Sequence, residues 1–249
     1  MSDVPSAGAW DLPHPPADAL EILKDPRLAG LKYRGPGRSK AGAILAPSDP
    51  PGVGDSPYVL FREGYANASP AKVTWVNDMP GLTSLLAAGK GKGFSRITVR
   101  PHFTEERRRP ARPSDVWTYT AWLVASPRFA GIVRSFAPHA IETMEIDWVF
   151  ADGSKLDGYV FLDVLPLVDA YDYKRTEVAV SIGERGPYIS ALGYPRALRR
   201  DLPTDLVIFR DQFHRHNIFV SRELARALLA ARLRDFDFED PARQGPTEP

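Results

Sequence analysis

The chain has 249 residues, with 32 Lys and Arg against 31 Asp and Glu, and this balance lacks the basic excess expected of a protein that holds nucleic acid through phosphates. It has no cysteine, which excludes disulfides, thiolate zinc sites and a cysteine nucleophile. No run approaches the ~20 apolar residues of a membrane helix, and the first residues lack the basic start and apolar core of a secretory signal. We therefore expect a cytoplasmic protein with neither a membrane nor a nucleic-acid partner.

The N-terminal part is predicted to be loop-rich. Residues 1–16 are Pro-rich and polar and indicate an arm, and a capping-box pattern predicts a short helix over Ala19–Lys24. Pro and Gly then recur through Gly54, which predicts loop. We assign 1–56 to this arm and helix. Residues 57–114 are predicted to be a strand-rich region packed on the core, because apolar and β-branched runs begin there.

Two stretches of this region resemble nucleotide or nucleic-acid motifs without meeting their requirements. Gly89–Gly93 alternates Gly and Lys, but Phe94 follows where a phosphate-binding loop needs Ser or Thr, so a turn before a strand at Arg96–Arg100 is predicted. Thr104–Pro113 is predicted to be a charged linker, since Pro interrupts it and no aromatic residue interleaves. The alternative is a nucleic-acid-binding accessory that uses Arg107–Arg112, which would bind with a steep salt dependence.

A pattern of apolar strand, serine, helix and alternating strand occurs twice. It spans Trp122–Trp148 and again Ile218–Phe238. Ser126 and Ser221 each stand where a helix N-cap belongs, and Pro127 occupies the first helical position, where its missing N–H is not needed. The final strand of each copy alternates apolar with acidic residues. We therefore hypothesise a duplicated strand-helix-strand unit.

Further short strands are predicted between the two copies: Tyr159–Leu165, Tyr171–Tyr173, Glu177–Ile182, Tyr188–Leu192 and Leu206–Arg210. Strands and turns of this kind, with few helices, predict an α+β fold with an antiparallel-rich sheet. Residues 115–240 are assigned to this α+β core. Residues 241–249 are predicted to be a disordered tail.

One cluster has the residue types of a metal site. His214 and His216 have the H-x-H spacing that places two imidazoles on one strand face, and Asp211 supplies an oxygen ligand. Against this, a cation lies between the two histidines and the segment joins two strands. A metal-assisted hydrolase that uses these three residues is the alternative function, and a polar loop is the simpler interpretation.

Several segments resemble one family in their order and spacing. They are Val160–Leu165 with Asp169 downstream, Leu206–Arg210, Ile218–Ser221 with its helix, and the upstream Trp122–Ser126. Over about residues 115–240 the chain resembles the myxobacterial-type immunity protein domain, family eleven of the bacterial polymorphic-toxin immunity proteins. It departs from the family's pattern where such domains often have a glycine between the helix and the last strand, because Leu233 and Arg234 stand there.

The resemblance implies a non-enzymatic bacterial protein, without cofactor or metal, that binds and neutralises a cognate toxin by protein–protein interaction. Such a task needs a preorganised surface with charge complementary to the partner. The motif residues are interpreted as structural: Ser126, Asp163, Phe209, Arg210 and Ser221.

Two charged surfaces are candidates for contacting the toxin. For a basic toxin the candidates are acidic: Asp235, Asp237, Glu239 and Asp240. For an acidic toxin they are basic: Arg199, Arg200 and Arg215. The sequence does not specify the toxin's activity or the oligomeric state.

Overall fold

A computed structural model of the chain describes residues 24, 26–36, 42–54, 56–63, 73–76, 90–95, 97–119, 122–183 and 186–243. They divide into two compact units. The described residues of 1–55, 171–199 and 241–244 form the first unit, and those of 56–170 and 200–240 belong to the second. The predicted arm at 1–16, most of the predicted helix at 19–24, and the end of the predicted tail from 244 lie outside the described residues.

Among the described residues, the elements are two α-helices and sixteen strands. The helices are α1 (Pro127–Phe136) and α2 (Arg222–Ala230). The strands are β1 (Lys32–Pro36), β2 (Gly42–Ala46), β3 (Tyr58–Glu63), β4 (Val73–Trp75), β5 (His102–Glu105), β6 (Val116–Tyr119), β7 (Trp122–Ala125), β8 (Ile141–Glu145), β9 (Asp147–Phe150), β10 (Val160–Val164), β11 (Leu167–Val168), β12 (Val178–Gly183), β13 (Gly186–Leu192), β14 (Ile208–Asp211), β15 (Ile218–Ser221) and β16 (Phe236–Glu239). The predicted α+β class with antiparallel-rich sheets is confirmed.

The first unit contains a four-stranded antiparallel sheet in the order β1-β2-β12-β13. The prediction of loop up to Gly54 is therefore wrong for β1 and β2. β1 pairs with β2, and β2 also pairs with β12, which lies more than 130 residues further along the chain and leaves no local signal. The predicted strand at Tyr171–Tyr173 is also wrong: Tyr171 makes an isolated bridge, and Tyr173–Arg175 is a 3₁₀ turn that begins where the Asp172 carboxylate accepts the Lys174 N–H.

The second unit contains three sheets, with strand orders β6-β7-β10-β8, β11-β14-β15-β3-β16 and β4-β5-β9. All of their pairings are antiparallel except β5 with β9 and β11 with β14. The predicted strand at Arg96–Arg100 is wrong, because Ile97 to Arg100 are in coil and bend.

The two copies of the strand-helix-strand pattern have the same topology. In the first, β7 and β8 both pair antiparallel with β10, which lies between them. In the second, β15 and β16 both pair antiparallel with β3. The first strand of each copy has one more antiparallel neighbour: β6 pairs with β7, and β14 pairs with β15. This shared order supports the duplication hypothesis, although β10 follows its copy in the chain and β3 precedes its own.

Both helices begin as the sequence indicates. The Ser126 hydroxyl accepts the Phe129 N–H at 3.2 Å, and the Ser221 hydroxyl accepts the Leu224 N–H at 3.2 Å. Each cap satisfies one of the N–H groups that the first helical turn leaves without an intrahelical partner.

The sheet formed by β6, β7, β10 and β8 separates two hydrophobic clusters. Alternate side chains of a strand point to opposite faces, so Leu123 packs in the cluster that includes both helices, whereas Trp122 packs in an aromatic cluster on the other face. On β10, Leu162 belongs to the helical side and Phe161 to the aromatic side. Asp163 follows on the same face as Phe161, where a carboxylate requires polar partners to be buried.

Candidate functional site

The glycine loop, residues 90–95, wraps around the carboxylate of Asp163. The backbone N–H groups of Gly91, Lys92 and Gly93 donate to it at 2.9–3.0 Å, and Asp163 is fully buried. Consecutive N–H groups that converge in this way form an anion-binding nest. The Gly-Lys stretch thus has the backbone of an anion site, and the anion is the chain's own Asp163.

The loop needs glycine at two positions. Gly91 and Gly93 have φ values of 78° and 67°, in the left-handed region that L side chains rarely adopt. A Cβ on Gly91 would lie 2.6 Å from Leu167 Cδ2, and a Cβ on Gly93 would collide with the Glu142 carboxylate. That same carboxylate accepts the Phe94 N–H at 3.0 Å, so it continues the series of loop N–H groups held by acidic side chains.

Arg210, the last residue of the Leu206–Arg210 motif, connects the glycine loop to a second loop. Its Nη2 lies 3.3 Å from Asp163 Oδ1, its Nε donates to the Val164 carbonyl at 3.3 Å, and its Nη1 donates to the Arg215 carbonyl at 2.7 Å. The guanidinium is buried, and burial lowers the pKa of Arg210, while the Asp163 charge and hydrogen bond oppose that lowering. The guanidinium therefore binds the second loop directly and is linked to the glycine loop through Asp163.

Lys90 and Lys92 add positive charge to the glycine loop. Lys92 is exposed and Lys90 is half-buried. Burial and the Arg210 charge lower the pKa of Lys90, whereas the carboxylates of Glu63 and Asp163 raise it. The net effect is a lowered pKa of Lys90, with burial as the largest cause.

The second loop, residues 212–217, is organised by Asp211, which is fully buried at the end of β14. Asp211 Oδ1 accepts the Ala170 N–H at 3.1 Å, and Oδ2 accepts the N–H groups of Phe213 and His214 and contacts His214 Nδ1 at 3.0 Å. A carboxylate that accepts N–H groups two and three residues ahead fixes the turn that follows it. Backbone bonds from Asn217 to His214 and from Asp211 to Asn217 close the loop.

The structure does not support the metal set suggested by Asp211, His214 and His216. The Asp211 oxygens are engaged by three backbone N–H groups and one ring nitrogen of the chain. The two imidazole rings are 6.2 Å apart and nearly perpendicular. Among the described residues, no group of three His, Cys, Asp or Glu could hold a metal ion. The simpler interpretation of a polar loop agrees with this geometry.

The four acidic candidates near the C-terminus do not form one exposed surface. Asp237 is exposed and Asp235 is half-buried, whereas Glu239 and Asp240 are buried. Glu239 pairs with Arg62 at 2.8 Å, and Asp240 pairs with Arg222 at 2.8 Å. The alternation extends only as far as Phe238, because the next two carboxylates satisfy internal cations.

The three basic candidates have different locations. Arg199 and Arg200 are exposed; Arg199 belongs to the first unit and Arg200 to the second. Arg215 is half-buried in the 212–217 loop, where its carbonyl binds Arg210 and its Nε donates to the Gln212 carbonyl at 3.4 Å. Only Arg215 belongs to the loops described above.

The remaining motif residue, Phe209, lies inside the sheet. It is fully buried, meets the Tyr58 ring edge-on at 5.0 Å and stacks on Phe219 at 5.3 Å. Its position in the structure is that of a core residue.

The chain was compared with models of known protein families. The model of the immunity protein family (Imm11) matches residues 61–243. The chain belongs to this family. The match begins before residue 115, so it includes the glycine loop as well as Asp163 and Arg210. A comparison with curated proteins found no match. In the part of the chain that the structure describes, no helix has the length and apolar character needed to cross a membrane.

The buried network and the exposed aromatic residue of the second loop were not predicted. Alternating glycines were the available signal for the nest, but the acceptor lies about 70 residues away in sequence. Phe213 is 58% exposed, and nothing in a single sequence distinguishes it from a core phenylalanine.

Proposed function

We propose that this protein is the immunity partner of a bacterial polymorphic toxin: it binds its cognate toxin inside the producing cell and blocks it without chemistry of its own. The observation that carries the proposal is the family match, which covers residues 61–243 and therefore most of the second unit. Members of an immunity family protect by occupying the toxin, which requires a rigid complementary surface rather than a reactive group.

The buried charged residues support this proposal, because their contacts are all within the chain. Asp163, Arg210 and Asp211 have the burial and charge that an active site would use, yet each is engaged by backbone groups or by another of the three. Their contacts hold loops in place. A scaffold that fixes its loops before binding loses less conformational freedom when the complex forms.

The partner is the toxin, and no nucleic acid or cofactor is proposed. The candidate contact residues are the acidic pair Asp235 and Asp237, for a basic toxin. For an acidic toxin they are Arg199 of the first unit and, separately, Arg200 and Arg215 of the second. Glu239 and Asp240 are left out of the acidic surface because their carboxylates are buried in internal ion pairs.

Co-expression tests the proposal. The genes beside this one are searched for a toxin-like open reading frame, and its product is the probe, expressed in a sensitive host with and without this protein. We expect growth arrest by the toxin alone, rescue by the intact chain, and co-purification of the two proteins. Arrest that the intact chain does not relieve, together with no complex between the purified proteins, would contradict the proposal.

Charge reversal then distinguishes the two surfaces. Replacing Asp235 and Asp237 by Lys, or Arg199, Arg200 and Arg215 by Glu, changes the sign of one surface at a time. Reversal of the surface that meets the toxin is expected to slow association and weaken binding, since like charges placed opposite each other repel. Unchanged affinity in both variants would remove both surfaces as contacts.

A further inference from the structure

Phe213 is an aromatic side chain that the fold presents to solvent on a fixed backbone. It is 58% exposed, the largest exposure among the large apolar residues that the structure describes. Its own N–H donates to the buried Asp211 carboxylate at 3.0 Å, and this bond holds the backbone of the residue. A large exposed aromatic group on a fixed loop gives high contact area with little entropy to lose.

Apart from the buried Asp211, the charged side chains of the two loops themselves are basic. The 212–217 loop carries His214, Arg215 and His216, and the adjacent glycine loop carries Lys90 and Lys92. Within residues 90–95 and 211–217 the one carboxylate is that of Asp211, which is fully buried. These two loops therefore present an aromatic group bordered by cationic and polar side chains.

The two loops are also coupled to the family motif. Arg210 binds the Arg215 carbonyl with one Nη and Asp163 with the other, and Asp163 in turn holds the glycine loop. The buried pair thus fixes the backbone on both sides of the exposed surface. This gives the motif residues a role in positioning a surface, although their own side chains do not reach it.

We propose that Phe213 is the anchor of the toxin-binding surface, inserting into an apolar pocket of the toxin that is bordered by carboxylates, with Lys92 and Arg215 facing those carboxylates. The inference rests on the proposed function and names the surface and the chemistry of its partner. Interface energetics favour it: aromatic and Arg residues dominate binding energy, and a few central residues carry most of it.

The chain offers a matched control for the aromatic anchor. Leu229 is also an exposed apolar residue of the second unit, at 42% exposure, and it lies on α2. The experiment measures binding of the purified product of the adjacent toxin-like gene by the intact chain, Phe213→Ala and Leu229→Ala. Circular dichroism and the midpoint of thermal unfolding verify that each variant is folded.

We expect Phe213→Ala to weaken binding by roughly 30-fold or more, as truncation of an interface anchor does, and Leu229→Ala to change it less than threefold. Lys92→Glu with Arg215→Glu is expected to lower the association rate and its dependence on salt.

Affinity of Phe213→Ala within threefold of the intact chain overturns the inference and leaves the proposed function standing. A chain that self-associates through Phe213 and binds the toxin unchanged without it overturns the inference as well. If the intact chain neither binds nor protects, the proposed function fails and the inference fails with it.

Discussion

The two copies of the strand-helix-strand pattern have the same strand pairing and differ in the loop before the capping serine's strand. In both, a capping serine donates its backbone N–H to the residue before the neighbouring strand: Ser126 to the Asp115 carbonyl at 2.7 Å and Ser221 to the Val207 carbonyl at 2.8 Å. Yet β6 and β7 are joined by two residues, since Tyr119 pairs with Trp122, whereas β14 and β15 are separated by the 212–217 loop. The framework is repeated, and the longer loop occurs in one copy.

The central strands differ in a corresponding way. Val160 and Val59 each pair with the residue before a capping serine, so Asp163 on β10 and Arg62 on β3 occupy equivalent positions. Asp163 is buried and joined to Arg210, whereas Arg62 is 39% exposed and joined to Glu239. The comparison shows that a common architecture supports a buried, loop-positioning ion pair in one copy and a partly solvated pair in the other.

The largest expected effect comes from breaking the buried pair. Asp163→Asn removes the charge that compensates Arg210 and weakens the nest, so we expect a loss of about 3–5 kcal/mol in the free energy of unfolding. Arg62→Gln at the equivalent position is the control and should cost less, because the Arg62 guanidinium is 39% exposed and water screens its contact with the buried Glu239 carboxylate. Urea denaturation measures both. Equal losses would show that the two pairs do not differ as described.

Gly93→Ala should have the next largest effect. The substitution forces a Cβ into the left-handed region and against the Glu142 carboxylate, and we expect a loss on the order of 2–3 kcal/mol. Gly153→Ala is matched in φ, at 79°, but meets nothing within 4 Å, so its cost should be about 1 kcal/mol. If both variants unfold at the same urea concentration, the close packing of the glycine loop is refuted.

The two capping serines provide a smaller comparison. Ser221→Ala should cost about 1 kcal/mol, the usual value of an N-cap. Ser126→Ala should cost more, about 2 kcal/mol, because the Ser126 hydroxyl also donates to Asp115 Oδ1 at 2.7 Å and leaves that carboxylate with one partner fewer. Thermal unfolding of the two variants measures the order, and a larger loss for Ser221→Ala would contradict it.

The smallest expected effect is a gain. Helix α1 ends before Ala137 and Pro138, but α2 is followed by Arg232 with φ of 51°, in the left-handed region. Arg232→Gly should stabilise the chain by about 0.5 kcal/mol, since glycine adopts this backbone without steric cost but loses more entropy on folding. The same change at Arg128, in the first turn of α1, should destabilise the chain, because it also removes the hydrogen bond from the Arg128 guanidinium to the Ala231 carbonyl. A loss of stability in Arg232→Gly would show that the turn is not strained.

Features set by neighbours along the chain were predicted from the sequence. Serine caps depend on residues three positions away. The predicted alternating strand through Met144–Phe150 is wrong as one strand, because it is divided into β8 and β9, which pair in different sheets. Local patterns gave both helices, most strands and the α+β class. The missing glycine noted at Leu233 and Arg234 corresponds to real strain nearby, because Arg232 and Asp235 have positive φ.

Features that depend on distant partners were not predicted. β2 pairs with β12, and the glycine loop binds Asp163, but both partners are distant in sequence and no local pattern indicates them. The burial of Glu239 and Asp240 also depends on distant partners, since their carboxylates pair with Arg62 and Arg222. Exposure of Phe213 depends on the Asp211 carboxylate holding the loop, which is again a tertiary property.

Hydrogen exchange of this protein with and without the purified product of the adjacent toxin-like gene tests the central claim most directly. The account predicts that binding slows amide exchange in the 212–217 loop and in the glycine loop, while the peptides that cover Leu229 on α2 are unchanged. Protection confined to residues 235–237, or to any surface that excludes Phe213, would contradict the proposed surface. No slowing anywhere at saturating toxin would contradict the immunity function itself.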